Sequence, residues 1–366
     1  MSTSTTAILK RADGAPAGAA EGNLAVVATW LFVCCALIFL MVVIGGITRL
    51  TLSGLSITEW KPVVGVLPPL SPADWTAEFA KYKQIPEYRL VHYAMSLNEF
   101  KTIYFWEYLH RLLGRLVGIA YGVPFVWFLL RRQLPRSLVR PLAGILLLGF
   151  GQGALGWYMV QSGLADRTEV SQYRLVAHLA LALAIYAAIL WVALGIVRGS
   201  PRSELRQDPG AVWRRAAEAV ILLVALTIAA GGFVAATHAG LIYNSFPLMG
   251  GTLLPPDYFL LHPLYLNWFE NVAAIQFDHR LLALATAVLI VLVWIAGLRA
   301  ALPRPCGLAL HALLAAVVLQ VALGITTLVL MVPIPLAVAH QAGAIVLLTT
   351  ALFFRHTMRG APSRGP

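Results

Sequence analysis

The sequence predicts an all-α integral membrane protein, with eight transmembrane helices arranged as two pseudo-symmetric four-helix bundles. Three observations predict this fold: an apolar composition, eight long apolar windows and an internal repeat. Of the 366 residues, 59% are hydrophobic and 12% are charged, and the mean hydropathy is +0.78. Because soluble globular proteins have about 25% charged residues, the surplus apolar surface must face lipid.

Eight windows of predominantly apolar residues are long enough to cross a bilayer. They cover roughly 25–47, 105–130, 140–160, 174–197, 213–236, 279–298, 307–331 and 336–355. Arginines cluster in the short connections after the second, fourth and sixth windows. This pattern predicts that both termini are cytoplasmic in a bacterial inner membrane, with segments 48–104 and 237–278 outside. The net charge of +11 therefore reflects topology, and membrane lipid rather than nucleic acid is the expected partner.

These windows divide the chain into two halves with short connections. The expected units are a disordered cytoplasmic tail (1–24), an N-terminal four-helix half (25–197, with the long outer loop 48–104), a cytoplasmic linker (198–212), a C-terminal four-helix half (213–355) and a cytoplasmic tail (356–366).

Four sequence patterns occur once in each half, in the same order. They pair Gly45-Gly46, Thr51 and Gly54 with Gly231-Gly232, Thr237 and Gly240; Asn98, Phe100 and His110-Arg111 with Asn267, Phe269 and His279-Arg280; Gln152 and Gly156 with Gln320 and Gly324; and His178 with His340. Because four windows separate the copies, both halves have the same membrane orientation, which indicates a parallel repeat.

Four of the nine histidines lie in apolar windows at repeat-equivalent positions: His110, His178, His279 and His340. Polar side chains inside a span are costly and normally face the interior of the bundle. Either an interhelical hydrogen bond or metal ligation accounts for one such histidine. Two per half, duplicated by the repeat, favour bis-histidine heme ligation, since facing helices commonly supply such ligands.

The predicted topology places all four histidines at one level, near the outer leaflet. Arg111 and Arg280 each follow a histidine of the predicted pairs. These arginines are candidate cofactor-binding residues that pair with heme propionates. The alternative is that their side chains extend to lipid headgroups.

The two halves differ three residues before the first histidine of each pair. Glu107 stands before His110, and the equivalent residue before His279 is Gln276. Residues three apart share a helix face, so Glu107 is predicted to lie about one turn from a ligand. It is the candidate catalytic residue, an acid, a base or a stabiliser of positive charge. The alternative is an interfacial carboxylate paired with Arg111 or with a lysine of the loop.

Two stretches carry a family resemblance that extends from about residue 24 to 355. They run from Gly45 to Thr51, with Ser53 to Ile57 and Trp60-Lys61-Pro62 following, and from Asn98 to Arg111, with Gly114-Arg115 following. Both closely resemble the signature of the heme A synthase family. The first outer loop lacks the cysteine pair that many bacterial members carry. The sequence therefore resembles the cysteine-free branch that includes the mitochondrial enzyme, in which loop thiols have no redox role.

The resemblance implies eight spans in a four-plus-four repeat, and oxidation of the C8 methyl group of heme O to the formyl group of heme A for cytochrome oxidase assembly. It implies that His279 and His340 hold a permanent heme b. His110 and His178 would then flank the substrate heme, with Glu107 in catalysis. Implied partners are a heme O synthase, the cytochrome oxidase assembly machinery and an electron-transfer protein, and a homo-oligomer is possible.

Two other functions fit histidine pairs in a membrane protein. One is a b-type cytochrome that passes electrons, for example from quinol, without heme chemistry; the other is a heme carrier or exporter. Transmembrane electron transfer favours hemes stacked across the membrane, whereas the predicted histidines share one level. The difference between Glu107 and Gln276 favours chemistry at one of two sites.

Overall fold

The computed structural model describes residues 17–60, 64–166, 168–198, 210–300 and 302–359. Within these ranges, eight helices are long and apolar enough to cross a membrane, which confirms the predicted number. Spans 1 to 8 are, in chain order, Ala17–Leu50, Leu97–Leu130, Arg136–Asp166, Gln172–Arg198, Ala211–Ala236, Val272–Arg299, Arg304–Val329 and Ile334–Thr357. The described chain forms no strand beyond one isolated bridge between Met249 and Thr252.

Two spans begin about two turns before their predicted windows because polar caps extend them. Span 2 begins at Leu97, where the Ser96 hydroxyl accepts from the Glu99 amide (3.3 Å) and the Glu99 carboxylate accepts from the Ser96 amide (2.7 Å). Span 6 begins at Val272, and the Asn271 side chain accepts from the Ala273 amide at 2.9 Å. Such caps satisfy the amides at a helix start, so these helices continue past the apolar window.

Parts of the predicted tails and linker lie outside the described residues, namely 1–16, 199–209 and 360–366, as do Lys61 and Pro62. The helix that begins at Ala17 already occupies the end of the segment predicted as a disordered tail. At the other end, span 8 continues to Thr357.

Alternating spans define two membrane faces. We call the face at the start of span 1 and the end of span 8 the terminal face, and the opposite face, which carries segments 51–96 and 237–271, the loop face. Span 1 packs on spans 2 and 4, span 5 on spans 6 and 8, and span 7 on spans 6 and 8. The halves meet through spans 1, 4, 5 and 8. One hydrophobic core passes through both halves and includes Leu31, Ile189, Val220, Leu313 and Ala351.

The first loop-face segment forms a small cap on span 2. Its helices Pro72–Tyr82 and Pro86–Leu90 belong to a second hydrophobic cluster. The buried members of this cluster are Leu55, Phe79, Tyr82, Ile85, Phe100, Ile103 and Tyr104. Just after spans 1 and 5, Leu52 (φ 50°) and His238 (φ 53°) both adopt the left-handed conformation. That conformation is uncommon for residues other than glycine, and these two positions are the ones that the repeat pairs.

Candidate functional site

The clearest candidate ligand pair lies in the C-terminal half, where His279 of span 6 faces His340 of span 8. Their ring centroids are 6.5 Å apart and the ring planes cross at 85°. A ligating imidazole nitrogen lies roughly 2 Å from its metal. Two imidazoles on opposite sides of one iron therefore need about this separation between ring centres. The two residues fit bis-histidine ligation of a heme.

The hydrogen bonds around this pair leave nitrogen lone pairs available for a metal. His279 Nδ1 lies 3.1 Å from the carbonyl oxygen of Thr227 and donates to it. That bond leaves the Nε2 lone pair free and fixes the orientation of the ring. On span 7, Gln320 donates to the backbone carbonyl of His340 at 2.9 Å.

In the N-terminal half, the corresponding residues are His110 of span 2 and His178 of span 4, whose rings pack against Gly45 of span 1 and Gly156 of span 3. Gln152 of span 3 donates to the backbone carbonyl of His178 at 3.0 Å. This contact is the repeat equivalent of the contact between Gln320 and His340. The side-chain amide nitrogen of Gln152 also lies 3.3 Å from His178 Nε2. All four histidines are half-buried.

Each histidine ring packs directly against a glycine of a neighbouring span. A Cβ atom at these glycines would lie 3.1 Å from His110 Nε2 for Gly45, 2.9 Å from His178 Cε1 for Gly156, 2.9 Å from His279 Cε1 for Gly231 and 2.8 Å from His340 Cε1 for Gly324. The four glycines occupy repeat-equivalent positions, so both halves make room for an imidazole in the same way. Small residues let helices approach closely in membranes, and here they admit a ring.

One ring is turned differently from the other three. His110 presents its Nε2–Cδ2 edge to Gly45, whereas His178, His279 and His340 present Cε1 to their glycines. The first histidines of the two pairs therefore occupy equivalent positions with different ring orientations.

Glu107 is 2% exposed, and both of its oxygens are hydrogen-bonded. Oε2 accepts from the Ser56 hydroxyl and from the Ile57 amide, each at 2.7 Å. Oε1 accepts from Nε (3.0 Å) and Nη2 (2.6 Å) of Arg111. Glu107 thus forms a buried ion pair with Arg111, as the alternative interpretation anticipated, and ties span 2 to the first loop-face segment.

The second half repeats this arrangement with an amide. Gln276 is also 2% exposed. Its nitrogen donates to the Ala239 carbonyl at 2.7 Å, and its oxygen accepts from Arg280 at 3.0 Å. In both halves, a buried side chain three residues before the histidine joins the following arginine to the loop-face segment.

Most donors of the two arginines are used within the chain. Arg111 donates to the carbonyls of Ile57 (2.7 Å) and Glu59 (3.0 Å). Arg280 donates to the carbonyls of Tyr243 (2.6 Å) and Ser245 (2.9 Å), and its buried Nε has no partner in the described parts of the chain. Both side chains therefore hold loop-face segments, and a propionate contact stays a prediction.

An ionic network that the sequence reading missed joins the two halves at the loop face. Arg49, at the end of span 1, donates to Glu169 at 2.8 Å, and His238 lies 2.8 Å from the other oxygen of Glu169. Burial raises the pKa of Glu169, but the hydrogen bond with His238 and the positive charge of Arg49 together lower it by more. The pKa of Glu169 is therefore below its ordinary value. Arg49 stands inside the repeated glycine motif, yet its repeat equivalent is Ala235, so the repeat gave no signal for it.

A second unpredicted group lies in the first loop-face segment. The Tyr82 hydroxyl lies 3.2 Å from the carboxyl of Glu87 and 2.6 Å from Nδ1 of His92. Tyr82 and Glu87 are 0% and 3% exposed. The three residues share one short segment with no internal repeat, and no sequence motif joined them.

Burial raises the pKa of Glu87 to about 8, although the hydrogen bond from Tyr82 lowers it. Among the charges that act on Glu87, the carboxylates of Glu107 and Glu169 raise its pKa further and the guanidinium of Arg49 lowers it. Glu87 is therefore largely protonated at neutral pH and is electrostatically coupled to the group around Glu107.

Comparison with known proteins gives consistent results over most of the chain. Residues 28–352 match the model of the cytochrome oxidase assembly protein family. A heme A synthase of Rhodospirillum centenum is 53% identical over 91% of this chain and 88% of its own length. Heme A synthases of Nitrosospira multiformis and of a Wolbachia strain are 51% and 43% identical, each over 91% of this chain and over 93% and 98% of their own lengths.

The pKa of Glu87 predicts a pH-dependent stability. As pH rises from about 4.5, the ordinary value, to about 8, the unfolded chain releases this proton while the folded chain keeps it. The free energy of unfolding therefore falls across this window. Glu87→Gln should flatten the decrease, with a gain at pH 8 on the order of 2–4 kcal/mol relative to the wild type.

The measurement is thermal unfolding of the purified protein in detergent at pH 5 and pH 8. The matched control is Glu59→Gln, since the Glu59 side chain is 42% exposed and binds Lys81. An equal pH dependence in the wild type and Glu87→Gln would show that Glu87 ionises normally in the folded protein.

Proposed function

The chain belongs to the heme A synthase family of cytochrome oxidase assembly proteins, and on this premise we propose how its two halves divide the reaction. The enzyme is an oxidoreductase that converts the C8 methyl group of heme O to the formyl group of heme A. We propose that the C-terminal half holds a resident heme and that the N-terminal half binds the substrate. We also propose that the halves are pseudo-symmetric four-helix bundles.

The C-terminal histidines are suited to a permanent heme b. Support comes from the 6.5 Å separation of the His279 and His340 rings and from the Thr227 carbonyl that fixes the His279 ring. The position equivalent to Glu107 is here the neutral Gln276, which donates to the Ala239 carbonyl. A bis-histidine heme b, when bound, accepts and passes on single electrons.

The N-terminal histidines are suited to a substrate that enters and leaves. His110 and His178 occupy the equivalent positions, with the same glycine contacts, but the His110 ring is turned differently. Because the His110 ring is oriented differently from the other three, we expect this pair to hold a heme less permanently than the C-terminal pair. In this half the histidines would orient heme O and keep its methyl group near Glu107.

The single observation that carries this assignment is the difference between Glu107 and Gln276 within otherwise matching surroundings. Burying a carboxylate is costly unless it is paired, and Glu107 is hydrogen-bonded to Ser56, Ile57 and Arg111. Oxidation of a methyl group creates positive charge or releases protons at carbon. A fixed carboxylate stabilises the charge, or takes up the proton, without reorganising at that moment.

Other elements of the proposal concern ligands, partners and location. Arg111 and Arg280 would contact heme propionates with donors left over from the loop-face segments. The proposed location is the bacterial inner membrane, with the terminal face in the cytoplasm. A heme O synthase would deliver the substrate, an electron-transfer protein would take up electrons, and the enzyme can form a homo-oligomer.

The orientation is testable with reporter fusions. Fusions at Arg136, at the terminal-face start of span 3, should report the cytoplasm. Fusions at Pro256, in the second loop-face segment, should report the outside. These outcomes follow from the arginine-rich connections on the terminal face. Reports from the same side at both positions would overturn the orientation.

The division of the two sites is testable by heme retention. His279→Ala or His340→Ala should remove most copurifying heme b, whereas His110→Ala or His178→Ala should leave most of it. The measurement is the low-spin absorbance and heme content of the purified variants.

The control is His311→Ala, which alters a histidine that accepts a hydrogen bond from Trp294 outside both pairs. Equal loss of heme b from all four pair variants would mean that both sites hold permanent cofactors. That outcome would favour the electron-transfer function instead.

The reaction itself is tested with Glu107→Gln. Glutamine at this position keeps one oxygen that can accept from Arg111, as Gln276 does from Arg280. Its amide nitrogen would face the Ser56 hydroxyl and the Ile57 amide, so the variant should be less stable but should keep its fold and its heme b. Loss of the negative charge should slow product formation by roughly 10²–10⁴. Heme extraction and chromatography should show heme A in the wild type, and heme O or a hydroxylated intermediate in Glu107→Gln.

The matched control is Glu99→Gln, which removes an exposed carboxylate from the start of the same span. Wild-type amounts of heme A from Glu107→Gln would leave Glu107 with a structural role only. Absence of heme A from the wild type would contradict the proposed activity as a whole.

A further inference from the structure

A group of cationic side chains surrounds one tryptophan at the terminal face, far from both histidine pairs. Trp191 lies near the end of span 4, and its ring centroid is 5.2 Å from that of His356 in span 8. The guanidinium carbons of Arg359 and Arg355 lie 4.2 Å and 5.9 Å from the same ring. Arg198, at the end of span 4, lies 5.3 Å from the ring of Phe353 in span 8. We call these six residues the Trp191 cluster.

The positive charge of the Trp191 cluster is only partly balanced by the acidic side chains around it. Arg355 binds Glu218 of span 5 through two hydrogen bonds, at 2.9 and 2.7 Å. Among the residues the structure describes, no acidic side chain pairs with Arg198 or Arg359. Because like charges this close repel one another, an anion bound among them would be strongly favoured.

The Trp191 cluster also contains buried donors without acceptors. Nη1 of Arg198 and Nη1 of Arg355 are buried and have no hydrogen-bond partner in the described ranges, and the same holds for Nδ1 of His356. Buried polar atoms are nearly always paired. A tetrahedral oxyanion supplies several acceptor oxygens together with negative charge, and Arg is well matched to phosphate geometry.

Depth and shape point to the source of such a phosphate. The Trp191 cluster lies on spans 4 and 8, one from each half, and span 5 contacts it through Glu218. It therefore lies where the two halves meet, at the level at which the helices leave the membrane. Basic sites between spans at this level suit the headgroups of anionic phospholipids. His356 is 4% exposed, whereas Arg359 and Phe353 are exposed, so one side of the cluster is open to a lipid.

We propose that the Trp191 cluster binds the phosphate of an anionic phospholipid headgroup at the terminal face, and so joins the two halves of the protein. The acyl chains would lie against the lipid-exposed surface near Phe353. Arg359 would contact the phosphate while stacked on Trp191. The proposal is independent of the reaction and of the heme sites.

The test is lipid binding to the delipidated full-length protein, measured by intact-complex mass spectrometry in detergent. Phosphatidylglycerol, phosphatidylcholine and inorganic phosphate are titrated separately into the wild type, Arg359→Gln, Arg359→Lys and a control. The control is Arg131→Gln, since Arg131 also stacks on a tryptophan at the terminal face, 4.5 Å from the ring of Trp127. Size-exclusion chromatography verifies that each variant is folded.

Phosphatidylglycerol should bind more tightly than phosphatidylcholine. Arg359→Gln should weaken its binding about fivefold, as expected for loss of one cation near a headgroup. Arg131→Gln should leave binding unchanged, and Arg359→Lys should retain most of it. Equal binding of the two lipids, or equal weakening by Arg131→Gln and Arg359→Gln, would show that these arginines serve only as general interfacial charges and would overturn the proposal. Displacement of phosphatidylglycerol by equimolar inorganic phosphate would overturn the lipid assignment in favour of a soluble phosphate.

Discussion

Each of the four histidine rings packs against a glycine of a neighbouring span, and this packing limits where the rings can lie in the bundle. An imidazole is too large to enter a close helix contact lined by ordinary side chains, and a Cβ atom opposite His178, His279 or His340 would lie within 3.0 Å of the ring. The repeated Gly-Gly motifs and the glycines of spans 3 and 7 therefore set where a ring can stand. The positions of the four histidine rings, and of any heme that they hold, depend on this packing constraint.

The two halves also differ in the hydrogen bonds between the loop-face segment and the buried side chain three residues before the first histidine. Glu107 accepts from its segment, whereas Gln276 donates to its segment. The partner of Glu107 must be a donor, and the first loop-face segment offers the Ser56 hydroxyl and the Ile57 amide. Gln276 instead offers a donor of its own, and the second segment presents the Ala239 carbonyl. The first loop-face segment thus supplies the hydrogen-bond donors that the Glu107 carboxylate requires. Because each loop suits its own side chain, the difference between Glu107 and Gln276 is a property of the whole site and not of a single residue.

The number of spans and the positions of the candidate site residues could be predicted from the sequence, because hydropathy is a local signal and the site motifs occur in both halves. Hydropathy alone gave the number of spans, and duplication singled out the four histidines and the position of Glu107. The helix starts at Leu97 and Val272 were predicted too late, since caps at Ser96 and Asn271 act outside the apolar windows. The Arg49–Glu169–His238 network and the Glu87–Tyr82–His92 group have no copy in the other half. Their members come together only through tertiary packing, which leaves no periodic signal in the chain.

The two halves also differ in the net charge of the residues around their histidine pairs. Glu107 and Arg111 together are neutral, whereas Gln276 and Arg280 leave one positive charge that no described acidic residue pairs. Next to Glu107, the loop face of the N-terminal half also carries Glu87 and Glu169, with Arg49 between the halves. A positive surrounding at one site suits propionates that remain bound. At the other site, Glu87 is largely protonated at neutral pH and Glu107 and Glu169 are paired with Arg111 and Arg49, so the charges largely balance. The two halves of the same fold therefore surround their histidine pairs with different charge.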